Sequence, residues 1–181
     1  MARYIVLLRG INVGSTRKVP MADLRALCDG LGFTQVETYI QSGNLLLTAK
    51  GGAAAVEAAL ETALEKRFGF PVSVLVRTPA QWAAYVKGNP LLEVSEAEPN
   101  RVMLALSKAP PREDALAKLR ERATPTERLE AAGDALWVHF GQGAGTSKLS
   151  PALWDRLVGS PVTARNWRTV RKLAELAGVS G

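Results

Sequence analysis

The chain has 181 residues, 47% of them hydrophobic, and its 23 Lys and Arg against 17 Asp and Glu give a formal net charge of +6. That length supports one ordinary domain or two small ones, and no run approaches the roughly twenty apolar residues that span a bilayer. Met-Ala-Arg leads straight into strand-like sequence rather than a secretory signal, and the single cysteine, Cys28, excludes an internal disulfide, so a cytoplasmic protein without membrane attachment is expected.

Residues 3 to 9, RYIVLLR, form a short apolar run of strand formers ended by Gly10. A loop, RGINVGSTRKVP, follows from Arg9 to Pro20. Met21, Leu24, Leu27, Cys28 and Leu31 then recur at helical spacing, with Pro20 suited to the first turn and Gly32 to the C-terminal cap. Val36, Thr38 and Ile40 alternate with Glu37, Tyr39 and Gln41, and Ser42 to Asn44 supply a turn before the strand LLLTA. Val56, Leu60, Ala63 and Leu64 mark a second helix, which Gly69 ends before PVSVLVR gives a fourth strand. Thr78 and Pro79 suit the start of a short helix carrying Trp82 and Tyr85, and the acidic stretch from Glu93 to Pro99 reads as a linker.

The second half repeats this order imperfectly. RVMLALS reads as a strand, Pro110-Pro111 as the start of a helix, and ERLEAA with ALWVHF as a hairpin about Gly133-Asp134. The glycine-rich GQGAGTSK precedes a helix capped by Ser150-Pro151, Pro161 to Thr163 suit a short edge strand, and a last helix begins near Trp167. The expected class is α+β: two ferredoxin-like βαββαβ halves packed against each other, with extra helices after the first half and at the C-terminus. The expected organisation is 1–78 for the first half, 79–100 for a helix and acidic linker, and 101–181 for the second half. Ile5 and Leu7 alternate with Tyr4, Val6 and Leu8, so the first strand is apolar on both faces and its second face is expected to be covered.

Taken in order, RGINVG, KVPM, YIQSGN at Tyr39 to Asn44, SKL at Ser147 to Leu149 and TARNWRTV from Thr163 to Val170 resemble a bacterial family, domain of unknown function 1697. The resemblance spans nearly the whole chain. It implies two ferredoxin-like halves and carries no catalytic residues across.

Positive charge gathers near both termini. Residues 1 to 25 hold Arg3, Arg9, Arg17, Lys18 and Arg25 against Asp23 alone. Basic and amide side chains stand beside three expected helix starts, where unsatisfied backbone N–H groups attract anions. With strands one and three of each half taken as parallel, the Arg9–Lys18 and Gly141–Lys148 loops are expected to border one cleft between the halves. Arg9, Asn12, Arg17, Lys18, Tyr39, Ser42, Asn44, Ser147, Lys148, Arg165 and Asn166 are the expected ligand-binding residues. The bland alternative gives Gly10 and Gly14 a turn to shape, Asn12 and Asn166 backbone groups to cap, and leaves the cations solvated.

Other constellations are weaker. GQGAGTSK lacks the Gly-Lys-Ser/Thr spacing of a phosphate-binding P-loop and the third glycine of a dinucleotide loop. The first and third strands offer an RNA only Tyr4 to stack on. Cys28 reads as a core thiol, and a single histidine, His139, excludes a histidine-rich metal site. Trp82, Trp137, Trp154 and Trp167 read as core. The expected role is binding of a phosphate- or carboxylate-bearing partner, small molecule or nucleic acid, with no metal and no cofactor. The alternatives are a metal-independent enzyme using Lys148 or Tyr39, and a protein-assembly module.

Overall fold

The computed structural model describes residues 1–179. It separates into two compact units, Met1–Ala83 with the chain from Leu173 onward, and Ala84–Lys172. Among the described residues are two four-stranded antiparallel sheets and seven α-helices, and no helix is long and apolar enough to cross a membrane.

The first unit runs β1 (Ala2–Leu8), α1 (Met21–Gly30), β2 (Thr34–Tyr39), β3 (Asn44–Ala49), α2 (Ala53–Phe68) and β4 (Val74–Arg77), followed by the start of α3 (Pro79–Lys87). Its sheet has the order β2-β3-β1-β4. Tyr4, Val6 and Leu8 of β1 point to one face, where they meet Leu45, Leu47, Val74 and Val76 and the helix residues Leu24, Cys28, Val56, Leu60 and Leu64. This is the burial that the helical stripes demand, and each full-size aliphatic side chain contributes roughly 1.5–3 kcal/mol. Ile5, Leu7, Leu46 and Leu75 on the other face are closed to solvent as well, as an apolar run on both faces of β1 requires. Gly69 ends α2 in the left-handed conformation, its N–H donating to Glu65 O. Thr78 and Gln81 cap α3 reciprocally, side chain to backbone in both directions.

The second unit contains the end of α3, α4 (Leu92–Ala97), β5 (Val102–Ser107), α5 (Ala115–Arg122), β6 (Glu127–Ala132), β7 (Ala135–Phe140), a 3₁₀ turn at Ala144–Thr146, α6 (Pro151–Val158), β8 (Val162–Asn166) and, as far as Lys172, α7 (Trp167–Leu176). The sheet order, β6-β7-β5-β8, repeats that of the first unit. Its core joins Ala105, Leu136, Val138 and Phe140 to Ala115, Leu119, Trp154 and Val158. Trp137 and Trp167 also meet, ring centroids 5.8 Å apart. All four tryptophans are buried.

Several expectations need correction. Strands one and three are not parallel: β1 and β3 are antiparallel neighbours, as are β5 and β7. The helical crossover joins β1 to β2, which run in the same direction with β3 between them, so the third strand must run back. Loops leaving strands one and three therefore emerge at opposite ends of a sheet, and the strand-direction basis for pairing the Arg9–Lys18 and Gly141–Lys148 loops is gone. Pro110-Pro111 does not open α5, which begins at Ala115; the residue before a proline is kept out of the helical region, which disfavours a helix at Ala109 and Pro110. The acidic stretch folds as α4, anchored where the Asn89 amide donates to Ser95 Oγ and accepts from Leu91 N. β8 also reaches past Thr163 to Asn166, because Ala164 and Arg165 pair with Ala105 and Leu104.

Candidate functional site

At the end of the first sheet where β1 finishes, three connections meet. These are the β1–α1 loop, the β2–β3 turn and the α2–β4 link. Leu8 N donates to Gly43 O at 2.8 Å and Arg9 N to Ser73 O at 3.0 Å, so backbone alone ties the strand end to both neighbours. Gly43 is required there: its φ is +87°, and a Cβ would fall 2.9 Å from Leu8 Cβ and 3.1 Å from Ile11 Cδ1.

The β1–α1 loop doubles back on itself, with Asn12 N donating to Arg17 O and a bridge between Val13 and Thr16. Asn12 holds φ +54°, a conformation that asparagine tolerates better than most residues. Its Nδ2 donates to Val19 O at 2.9 Å and to Gln41 O at 2.8 Å, and its Oδ1 accepts from Val19 N at 2.8 Å. One side chain thus closes the loop and fastens it to the β2–β3 turn. Arg17 does the same toward the α2–β4 link. Its Nε donates to Gly10 O and its Nη2 to Pro71 O, each at 2.7 Å, and its guanidinium lies 4.8 Å from the Phe70 ring centroid. Both residues act as braces.

The outer edge of the loop carries the exposed residues Val13, Gly14, Ser15, Thr16 and Lys18, while Arg9 is half-buried. In the β2–β3 turn the buried Asn44 amide donates to Tyr39 O at 3.1 Å and to Ser42 Oγ at 2.9 Å, so Asn44 shapes the turn. Tyr39 is half-buried and Ser42 exposed.

The remaining predicted residues lie in the second unit. Ser147 Oγ accepts from Leu149 N at 3.1 Å, and Lys148 is exposed just before α6, whose N-cap Ser150 accepts from Leu153 N. Asn166 caps α7, its Oδ1 accepting from Thr169 N at 2.9 Å. All three motifs therefore do stand beside helix starts. Arg165 is a strand residue, not a loop residue. Its register partner Leu104 also pairs with Trp137, which sets the three side chains in one row on one face of the sheet. Burial pushes its pKa down to about 10, which still leaves it charged at neutral pH, and its Nη1 donates to Thr163 Oγ1 and Ala164 O.

Seven of the eleven predicted residues, Arg9 to Asn44, gather at one end of the first sheet. The other four share the end of the second sheet where β7 and β8 finish. Sequence reasoning missed the α2–β4 link, whose Gly69-Phe70-Pro71 was the available signal. It also missed the exposed Val13 and Ile40. A groove of about 630 Å³ between α1 and α2, bordered by Asp23, Leu27, Leu31 and Arg67, contains none of the predicted residues. Cys28 is a core thiol, its pKa pushed up to about 12 chiefly by burial and then by Asp29. His139 Nε2 lies 3.1 Å from Glu98 Oε2, and the described residues contain no cluster of three or more His, Cys, Asp or Glu able to hold a metal.

A family model described as protein of unknown function, DUF1697, matches residues 1–137. The chain belongs to this family. The match takes in the whole of the three-loop end of the first unit and stops within β7, short of Ser147, Lys148, Arg165 and Asn166. Among solved structures, this DUF1697 protein is similar to the conserved bacterial protein SP0830 of Streptococcus pneumoniae. The two are 26% identical with a TM-score of 0.75, over 97% of this chain and 98% of that one. No curated protein matches the chain.

Proposed function

We propose that the first unit binds a phosphate- or carboxylate-bearing ligand where its three loops meet. Arg9 and Lys18 supply the charge, and the exposed Gly14 and Ser15 supply backbone N–H donors with the Ser15 hydroxyl, Thr16 N and Oγ1 both being turned inward to Val13 O. The observation carrying this reading is the use of Asn12 and Arg17 as braces. A loop held from behind is ordered before any ligand arrives, so binding costs less conformational entropy. Left-handed residues at Gly10, Asn12, Gly14 and Arg17 recur along it, and left-handed residues in a turn are one element of the backbone concavities that bind anions. The loop also feeds α1, whose N-cap, Pro20, offers no side-chain acceptor to the first helical N–H groups.

Nucleic acid is one carrier of such phosphates, and the net charge of +6 favours it as it favours any polyanion. The βαββαβ order with strand order 2-3-1-4 supports a ferredoxin-like reading of each unit. A single, buried cysteine fits a reducing cytoplasm.

Titration calorimetry with inorganic phosphate at low and high salt tests the proposal. The affinity should fall with salt, and Arg9→Ala and Lys18→Ala should each weaken binding about 3- to 10-fold, as loss of one charge contact implies. An unchanged affinity in both variants would contradict it.

A further inference from the structure

Two large apolar side chains stand in solvent on the loops that carry this candidate site. Val13 is 61% exposed and Ile40 is 51% exposed. They flank the hydrogen bond from Asn12 Nδ2 to Gln41 O, Val13 following its donor residue and Ile40 preceding its acceptor. Ile40 also holds φ +49°. A β-branched residue is strained in the left-handed region, because its Cβ and branch crowd the adjoining backbone. Asparagine or glycine would sit there more easily, and a side chain half in solvent gives little packing in return. Strain of this kind persists where function uses the residue, and the inference runs from the outlier to a role. Pairing with an anion is no such role for isoleucine.

Resting on the anion-binding reading above, we propose that the ligand is a phosphate monoester bearing an aromatic or aliphatic group, its phosphate on Arg9 and Lys18 and its apolar part against Val13 and Ile40. A monoester is close to a dianion at neutral pH, which matches two cations. Apolar ligand surface covered by these two side chains adds affinity that inorganic phosphate cannot gain. The mobile ligand meets a turn already fixed by Asn44 and Gly43, so Ile40 is presented rigidly.

The test is calorimetric titration of the full chain with phenyl phosphate and with inorganic phosphate, alongside thermal unfolding, for the natural sequence, Ile40→Asn and Val13→Ser. The natural protein should bind phenyl phosphate about tenfold more tightly than phosphate. Ile40→Asn should bring that ratio toward one while raising Tm by about 2–4 °C, since strain is relieved. Val13→Ser should lower the ratio with Tm unchanged, which keeps the test decisive if Ile40→Asn folds poorly. Equal binding of the two probes by the natural protein, or a ratio unaffected by both variants, overturns the apolar contact and leaves the anion reading standing. Failure to bind either probe overturns both.

Discussion

Replacing Asn12 by alanine removes three hydrogen bonds at once and leaves the backbone in a region that alanine avoids. Val19 is fully buried, so its N–H, deprived of Asn12 Oδ1, loses its partner out of reach of bulk water. An orphaned buried donor costs about 1–3 kcal/mol. The carbonyls of Val19 and Gln41 lose the Nδ2 donor, worth about 0.5–1.5 kcal/mol each before partial rehydration. Holding alanine rather than asparagine at φ +54° adds a conformational penalty of up to about 1 kcal/mol. Allowing for relaxation of the loop, Asn12→Ala should destabilise the protein by about 2–4 kcal/mol. Urea unfolding followed by circular dichroism measures it, and Asn12→Gly separates the parts. Glycine forfeits the same hydrogen bonds but accepts the left-handed backbone, so it should recover a few tenths to about 1 kcal/mol of the loss. A cost below about 0.5 kcal/mol for Asn12→Ala would refute the bracing role, and with it the view that the loop is ordered in advance.

Gly43→Ala should cost about 2–4 kcal/mol in the same assay, from left-handed strain and overpacking against Leu8 and Ile11 together; a neutral result would show that the turn shifts freely. Arg17→Met, which keeps an unbranched chain but loses the bonds to Gly10 O and Pro71 O and the guanidinium contact with Phe70, should cost about 1–3 kcal/mol, and equal stability would mean these contacts are idle. Cys28 should resist a disulfide reagent at pH 8 until the protein unfolds, because burial holds its thiol protonated. Between pH 9, where an unfolded thiol ionises, and about pH 12, where the folded one does, the folded state binds the extra proton. Stability should therefore fall as pH rises through that window, and Cys28→Ala should flatten the decline. A decline of equal slope in the variant would assign it to other groups.

The elements were legible because their signals are local. Apolar runs such as YIVLL and LLLTA, the helix stops at Gly32 and Gly69, and the cap at Ser150 each act within a few residues. What escaped depends on partners far along the chain. The antiparallel course of β1 and β3 follows from how the crossover packs, and no single stretch of sequence records it. Asn12 and Arg17 looked like ligand donors because nothing near them in sequence announces Gln41 O or Pro71 O as their acceptors, 29 and 54 residues away. Arg165 does stand beside a helix start, but its place inside a strand escapes the sequence because β8 extends that far only through pairing with β5. Ile40 was read as an ordinary member of an alternating strand; its positive φ belongs to the turn that Asn44 and Gly43 impose. Lys18, exposed on the loop, is the predicted residue whose expected role the geometry leaves most open to a ligand.

Amide chemical shifts during a phosphate titration at low salt test anion binding at the loops most directly. Saturable changes should concentrate on residues 9–18 and the 40–43 turn, and should vanish in an Arg9→Ala, Lys18→Ala double variant that keeps the native spectrum elsewhere. Shifts spread evenly over exposed lysines and arginines, or none at residues 9–18, would contradict the account.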